Sequence, residues 1–404
     1  MGYGPFHSQV PLARALAGAG HEVAYATASD FCPSVARVGF PVFPVGLAGR
    51  VLLEETARRF PYWPAKVPPE RLLRFYLTRT ATTVAAPATL IDLQAVVRSW
   101  RPDLVVHDPA EFAAPIAAAW AGVPSVNHGW GPLLPTEEYK AAAGAVAFLW
   151  KSLGVQSRTP AGMFDHLYLD VCPPRLQTAD IGKIERVQRL RPIPVHLRLG
   201  RRSQQSGSLP PWVEHLSPRP TVYATLGTVF NNTPGVFAAI VEGLDALDVN
   251  LVLAIGLNGD PALLELQSAR VHVERYVPQP LLLPHCDVVV CHGGAGTVLA
   301  AMDAGLPVLN LPIGLDQFHN ARRCVAAGVG RWLRPAQVSA AAVAREVLIL
   351  LDEPSYRHQA GMVKDEIRSL PSPGAVVGRL ERLVEERLVE GARPRHSPTR
   401  RRMR

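Results

Sequence analysis

The stretch from residue 287 to 320, DVVVCHGGAGTVLAAMDAGLPVLNLPIGLDQFHN, constrains the fold more than any other. Asp287 to Cys291 is a short β-branched run of the kind buried on both faces of a parallel sheet. It breaks at His292-Gly293-Gly294-Ala295-Gly296-Thr297, after which Val298, Leu299, Met302 and Ala304 recur at the spacing of a helix's buried face. Gly305 ends that helix and Pro307 keeps it from resuming. Val308 to Ile313 reads as the next strand, with Asp316-Gln317 in the loop beyond it. A strand, a glycine-rich turn and a helix N-terminus make an anion site. Free backbone N–H groups and the helix dipole converge there, and glycine lets a phosphate approach the backbone. The spacing is neither GxxxxGK[ST] nor a GxGxxG at the head of the chain, which excludes a Walker loop and weakens a dinucleotide oxidoreductase. A bare GGxG turn is more often a tight connection than a ligand site.

The surroundings reverse that preference. His292 opens the turn, and Asp316-Gln317 lies at the same carboxyl edge of the sheet, where α/β ligands bind. Together with Tyr276-Val277-Pro278-Gln279, these three motifs closely resemble, in order and spacing, the nucleotide-sugar signature of the family 1 (GT-B) glycosyltransferases. The bacterial natural-product branch, which includes the macrolide and other antibiotic enzymes, is the most similar. The resemblance implies an α/β fold of two Rossmann-like doubly wound domains facing a cleft. It implies that His292 and the N–H groups of Gly294, Ala295, Gly296 and Thr297 bind the donor diphosphate, with Thr228 adding a hydroxyl. The backbone of Val277 would read the base, Gln279 would lie near base and ribose, and Asp316 and Gln317 would hydrogen-bond sugar hydroxyls. The expected donor is a dTDP-sugar or UDP-sugar, and the expected acceptor a hydroxyl on a small natural product.

At 404 residues with 48% apolar content, the chain has material for two cores. No apolar run approaches the ~18–20 residues of a membrane span and no signal peptide is visible, so a cytoplasmic, soluble protein is expected. Five scattered cysteines show neither disulfide nor zinc spacing. The net charge of +8 suggests nucleic acid at first, but Arg393, Arg395, Arg400, Arg401, Arg402 and Arg404 crowd into the tail with no acid after Glu390. Such a tail reads as disordered, and no nucleic-acid partner is expected. A homodimer stays open.

Residues 1–204 read as the acceptor-binding domain, 205–220 as a linker, and 221–375 as the nucleotide-sugar-binding domain. A helix at 376–392 would cross back to the first domain, and 393–404 is the basic tail. The first domain is anomalous. Met1-Gly2-Tyr3-Gly4-Pro5 reads as a loop, followed by a helix through Leu12 and Leu16 and a strand at Val23–Thr27. That is a βαβ unit without its first strand, which is central in a doubly wound sheet. The expectation is a reading frame that starts late, with Val23–Thr27 and Leu104–His107 roughly 9–10 Å apart instead of paired.

The catalytic base is the point of departure from the family pattern. The histidine that the resemblance implies after the glycine loop falls on Pro5, and His7 comes two residues later, about 200° around a helix. Asp108 matches the aspartate that orients that histidine, so His7 with Asp108 is the expected catalytic pair, and His107 beside it is expected to be structural. His128 and Trp130, at a strand end, are expected to line the acceptor pocket; a buried structural histidine is an equal reading of His128. The chain contains no Asp-x-Asp pair, and neither a metal nor any other cofactor is expected. The reaction implied is an inverting transfer. Two alternatives stand beside it: a donor-binding but catalytically weak partner of an active homologue, favoured by Pro5, and a nucleotide-sugar epimerase on the same scaffold.

Overall fold

In the first half of the chain, short apolar segments between helices form strands of only three or four residues. A computed structural model describes residues 2–63, 66–194, 208–227, 233–256, 259 and 270–392. The strands are β1 (Tyr25–Thr27), β2 (Val42–Pro44), β3 (Val105–His107), β4 (Ser125–His128), β5 (Leu167–Asp170) and β6 (Val187–Arg189). All pair in parallel, but in two separate sheets: β1 with β2, and β3-β4-β5-β6. No hydrogen bonds join β1 to β3, which matches the interrupted sheet expected from the sequence.

The segment expected to be a loop at Tyr3 is instead a helix, Tyr3–Gly18, so His7 is a helical residue. Pro5 lies in its first turn, where no N–H is needed, and Pro11 further along removes only the bond to the His7 carbonyl. Phe6 and Val10 bury against Tyr25, Phe31 and Val35 and anchor the helix over β1. A helical stretch from Pro69 to Trp100, 32 residues, is long and apolar enough to cross a bilayer by length and composition. It is a helix of mixed composition and not the unbroken apolar run whose absence the sequence showed. Leu77, Ala81, Leu90, Leu93 and Val97 pack into the first-half core, which accounts for its apolar character. Its middle, Tyr76–Ala85, winds as a π-helix.

The second half carries β7 (Thr221–Thr225), β8 (Asn250–Ala254), β9 (Val271–Glu274), β10 (Val288–Cys291), β11 (Val308–Asn310) and β12 (Gly330–Trp332). β7, β8, β10 and β11 are buried at every position, as central strands covered on both faces must be. The sheet is parallel with order β12-β11-β10-β7-β8-β9. Residues 208–220, expected as linker, include a 3-10 turn at Pro211–His215, and Trp212 stacks on His272 at 4.0 Å. The last helix, Pro373–Ala392, buries Val376, Leu380 and Leu383 against Leu12, Val126, Leu167 and Leu169 of the first half. The basic tail at 393–404 lies outside the described residues.

Candidate active site

In the second sheet the chain fills positions outward from β7 in one direction through β8 and β9, then returns to the other side of β7 with β10. Loops leaving the carboxyl ends of β7 and β10 therefore diverge and open a crevice, the place where such sheets bind ligands. Leu226-Gly227 leaves β7 there, and His292-Gly293-Gly294 leaves β10 and enters the helix Ala295–Ala304. Gly294 is the N-cap residue and has no side chain to cap this helix; the Asp316 carboxyl takes the Ala295 amide, which leaves the following amides for an anion. At the other end Gly305 is left-handed (φ 77°), as the sequence indicated.

The His292 ring is held between two glycines. A Cβ on Gly227 would lie 2.6 Å from its Cε1, and one on Gly294 would lie 2.4 Å from its Nε2. Gly227 is also left-handed at φ 74°, so both shape and backbone require glycine there. His292 Nδ1 is buried without a partner, and burial pushes the ring's pKa down to about 4. A neutral imidazole with an unsatisfied nitrogen beside a helix N-terminus fits an incoming phosphate oxygen. Gly296 is exposed, and Gly294 and Thr297 are partly exposed, on the same turn.

Across the crevice, Leu315 adopts a left-handed φ of 55°, rare for leucine, and this aims the next residue, Asp316. Burial pushes the Asp316 carboxyl up, while the Asn320 side chain and the amides of Asp316 and Ala295 pull it back. Asn320 Nδ2 donates both to Asp316 Oδ2 at 2.7 Å and to the Gly293 carbonyl at 2.9 Å, tying the two loops together. The Gln317 oxygen is already engaged, which leaves its Nε2 for the expected contact with a sugar hydroxyl. The residue is 2% exposed, and its Oε1 accepts from the Ile313 and Gly314 amides at 2.7 and 3.0 Å, so that oxygen serves the loop and not a sugar. Gln279 donates to the Tyr223 hydroxyl at 3.1 Å, at the foot of the crevice. Val277 has a buried side chain, leaving its backbone as the part that can read a base. Thr228 lies outside the described residues.

The first half supplies the facing wall. A Cβ on Gly131 would sit 2.7 Å from the Ala295 Cβ, so the loop after β4 touches the first residue of the phosphate-side helix. His319 Nε2 bonds to the Leu133 carbonyl at 3.1 Å, and Arg323 donates to the Leu176 and Gln177 carbonyls at 2.9 and 2.7 Å. Trp130, one residue before Gly131, has a buried indole N–H without a partner. His128 is on strand β4 itself, fully buried, with Nδ1 against the Gly129 carbonyl at 2.7 Å. His107 is similarly buried against the Asp108 carbonyl, as a structural residue should be.

The expected His7–Asp108 pair is not formed. Among the described residues neither a hydrogen bond nor an ion pair joins them; His7 Nε2 is buried and unpartnered, near the rings of Tyr3 and Phe6. Burial alone pushes His7 down to about 4, with no contribution from Asp108. The cause is the position of His7 on a helix whose first turns pack onto aromatic residues. Asp108 Oδ1 instead accepts the Ala110 amide at 2.8 Å.

Among the described residues no three His, Cys, Asp or Glu side chains are grouped to hold a metal. A hollow of about 480 Å³ beside Asp248, Asp287 and Arg357 opens at the amino edge of the second sheet, the end away from this crevice. Reading the sequence overlooked Asn320 and Gly131. The first was visible as the i+4 partner of Asp316, whereas the second has no local mark because its contact is with the other half of the chain.

Two family models match, those of the N-terminal and C-terminal domains of erythromycin biosynthesis protein CIII-like proteins, over residues 14–183 and 238–383. The chain belongs to this family of natural-product glycosyltransferases. L-demethylnoviosyl transferase of Streptomyces niveus is 31% identical over 388 residues, 93% of this chain and 94% of that protein. Elloramycin glycosyltransferase ElmGT of Streptomyces olivaceus is 31% identical over 381 residues, 92% of each. Among solved structures, Streptomyces sp. SF2575 glycosyltransferase SsfS6 complexed with thymidine diphosphate superposes with a TM-score of 0.74 at 27% identity, over 94% of this chain and 97% of that one. Spinosyn rhamnosyltransferase SpnG complexed with spinosyn aglycone gives 0.75 at 25% identity, over 94% and 98%. The protein is thus a glycosyltransferase of the two-domain GT-B fold, and its relatives are named as transferases and not as epimerases.

Proposed function

We propose that this glycosyltransferase moves a sugar, a deoxysugar by the character of its relatives, from a dTDP- or UDP-linked donor to a hydroxyl of a small natural product, with inversion. The observation that carries the donor half is the His292 ring, fixed between Gly227 and Gly294 with an unpartnered nitrogen at a helix N-terminus. In this reading His292 and the amides of Gly294, Gly296 and Thr297 take the diphosphate, Ala295 donates to Asp316, and Thr228 adds a hydroxyl. The Val277 backbone and Gln279 face the nucleoside, and Asp316 accepts from sugar hydroxyls. Trp130 lines the acceptor side, and His128, fully buried beneath it on β4, supports that loop. A hydrogen bond from the His292 ring and the positive end of the helix dipole stabilise the diphosphate where a divalent cation does so elsewhere, so the reaction needs no metal.

Thymidine diphosphate is favoured over uridine diphosphate because the superposed SsfS6 holds thymidine diphosphate and the relative VinC holds dTDP. Calorimetric titration with dTDP, UDP and ADP tests this. Binding of dTDP with a weaker UDP response and no ADP response is expected. Equal binding of all three, or of none, would overturn the donor assignment.

A further inference from the structure

The helix that begins at the donor crevice also reaches the first half of the chain. It is Gln317–Ala326, with Asp316 as its N-cap residue. Asp316 and Asn320, one turn apart, serve the crevice: Asn320 donates to Asp316 and to the Gly293 carbonyl, and Asp316 takes the Ala295 amide. His319 and Arg323 are a second pair one turn apart, and both end on carbonyls of the first half. We propose, resting on the donor reading above, that His319 is a positioning residue. It holds the loop after β4 to this helix, so that a filled donor site fixes the loop that carries Trp130.

That loop runs from Gly129 to Pro135, and Pro132 and Pro135 have no N–H with which to stiffen it. Leu133 is held by side chains on both of its backbone groups. Its amide donates to Gln177 Oε1 at 2.9 Å, and its carbonyl accepts from His319 Nε2 at 3.1 Å. A carbonyl only accepts, so His319 carries its ring proton on Nε2, and burial pushes the ring's pKa down to about 4, which keeps it neutral. Arg323 closes the circuit by donating to the Gln177 carbonyl at 2.7 Å and the Leu176 carbonyl at 2.9 Å. Gln177 Nε2 in turn donates to Asp170, at the end of β5, at 2.7 Å. Both backbone groups of Leu133 therefore lead back to one helix, the carbonyl directly and the amide through Gln177.

A second contact joins the same loop to the donor side. A Cβ on Gly131 would lie 2.7 Å from the Ala295 Cβ, on the residue whose amide Asp316 holds. A van der Waals contact of this kind limits approach and holds weakly, whereas the bond from His319 is directional. Leu133 and Leu134 bury their side chains in the first-half core, so the part left to move is Trp130 and Gly131. A donor held at Asp316 and at the amides after Ala295 restrains the helix, and His319 passes that restraint to the loop. Such coupling is reciprocal: an acceptor resting on the loop tightens donor binding by the same factor.

The test is hydrogen exchange of the segment 129–134, read by mass spectrometry without ligand and with dTDP. The dTDP concentration is one that calorimetry shows to be saturating for each variant. In the parent, dTDP should slow exchange of this segment at least about fivefold, the lower end of ordinary coupling between sites. His319→Leu should still bind dTDP and lose that slowing, and His319→Gln, whose amide is a donor of similar reach, should restore it. A residue that only supports the fold would change exchange equally with and without dTDP. No slowing in the parent, slowing that persists in His319→Leu, or a His319→Gln that behaves as His319→Leu would each overturn the proposal. So would loss of dTDP binding in His319→Leu, because His319 would then support the donor site itself. Should His319→Leu fail to fold, Arg323→Ala severs the arm through Gln177; the same loss is expected, and full slowing there is the refutation. A parent that binds no dTDP refutes the donor reading instead, and this proposal with it.

Discussion

Gly294→Ala isolates the role of the His292 ring better than removing the ring does. Gly294 has φ −63° and ψ 137°, ordinary values for alanine, so the substitution introduces no backbone strain. Its new methyl would lie 2.4 Å from His292 Nε2 and 2.7 Å from Cε1, well inside contact distance. Gly227 closes the other side of the ring, so the imidazole must swing out of its slot. Folding should change by less than about 1 kcal/mol, because reduced freedom of the unfolded chain offsets part of the crowding. Donor binding should lose the histidine–phosphate hydrogen bond, about 1.5–3 kcal/mol, equivalent to a Kd for dTDP weakened roughly 10- to 150-fold. Calorimetry on Gly294→Ala, His292→Ala and the double variant separates the causes. If the ring is the phosphate ligand, the double variant binds no worse than His292→Ala. Additive losses would mean that the methyl meets the phosphate itself, and unchanged affinity in Gly294→Ala would refute the reasoning altogether.

Three further outcomes are expected. His107 and His128, buried and held at about 4 against 6.5 when unfolded, bind protons first in the unfolded chain, so their contribution is complete above pH 6.5 and is lost as pH falls toward 4. Each depression is worth at most about 3 kcal/mol. The raised carboxyls of Glu111 and Asp170 act in the opposite sense and soften the loss, so urea midpoints should still be lower at about pH 5 than at about pH 7.5; an equal or higher midpoint contradicts this. Arg323→Ala strands the Leu176 and Gln177 carbonyls at the junction of the halves and should cost about 1–3 kcal/mol in urea unfolding, with no loss expected only if water replaces the guanidinium. Excess EDTA should leave donor turnover unchanged, and a loss restored by Mg²⁺ would overturn the metal-free reading.

The second half was legible because its signals are local. The β-branched run at Val288–Cys291, the glycines at 293, 294 and 296, and Gly305 with Pro307 each dictate backbone conformation within a few residues, and the chain follows them. The first half was less so. β5 and β6, of four and three residues, are too short to show a period. Tyr3-Gly4-Pro5 looked like a loop because glycine and proline both break helices, yet proline is harmless in a first turn. The site divides the same way. His292 and Asp316 lie in motifs, whereas the use of the Gln317 oxygen, the isolation of His7 and the contact of Gly131 with Ala295 depend on packing between distant segments.

In the proposed reading the crevice between β7 and β10 is the donor site of this transferase, with the diphosphate on His292 and the helix that follows it. A crystal structure with dTDP tests it most directly. The phosphate oxygens should lie about 2.7–3.1 Å from a His292 ring nitrogen and from amides between Gly294 and Thr297, with the thymine beside the Val277 backbone. A diphosphate bound elsewhere, or bound here without touching His292, would contradict the account.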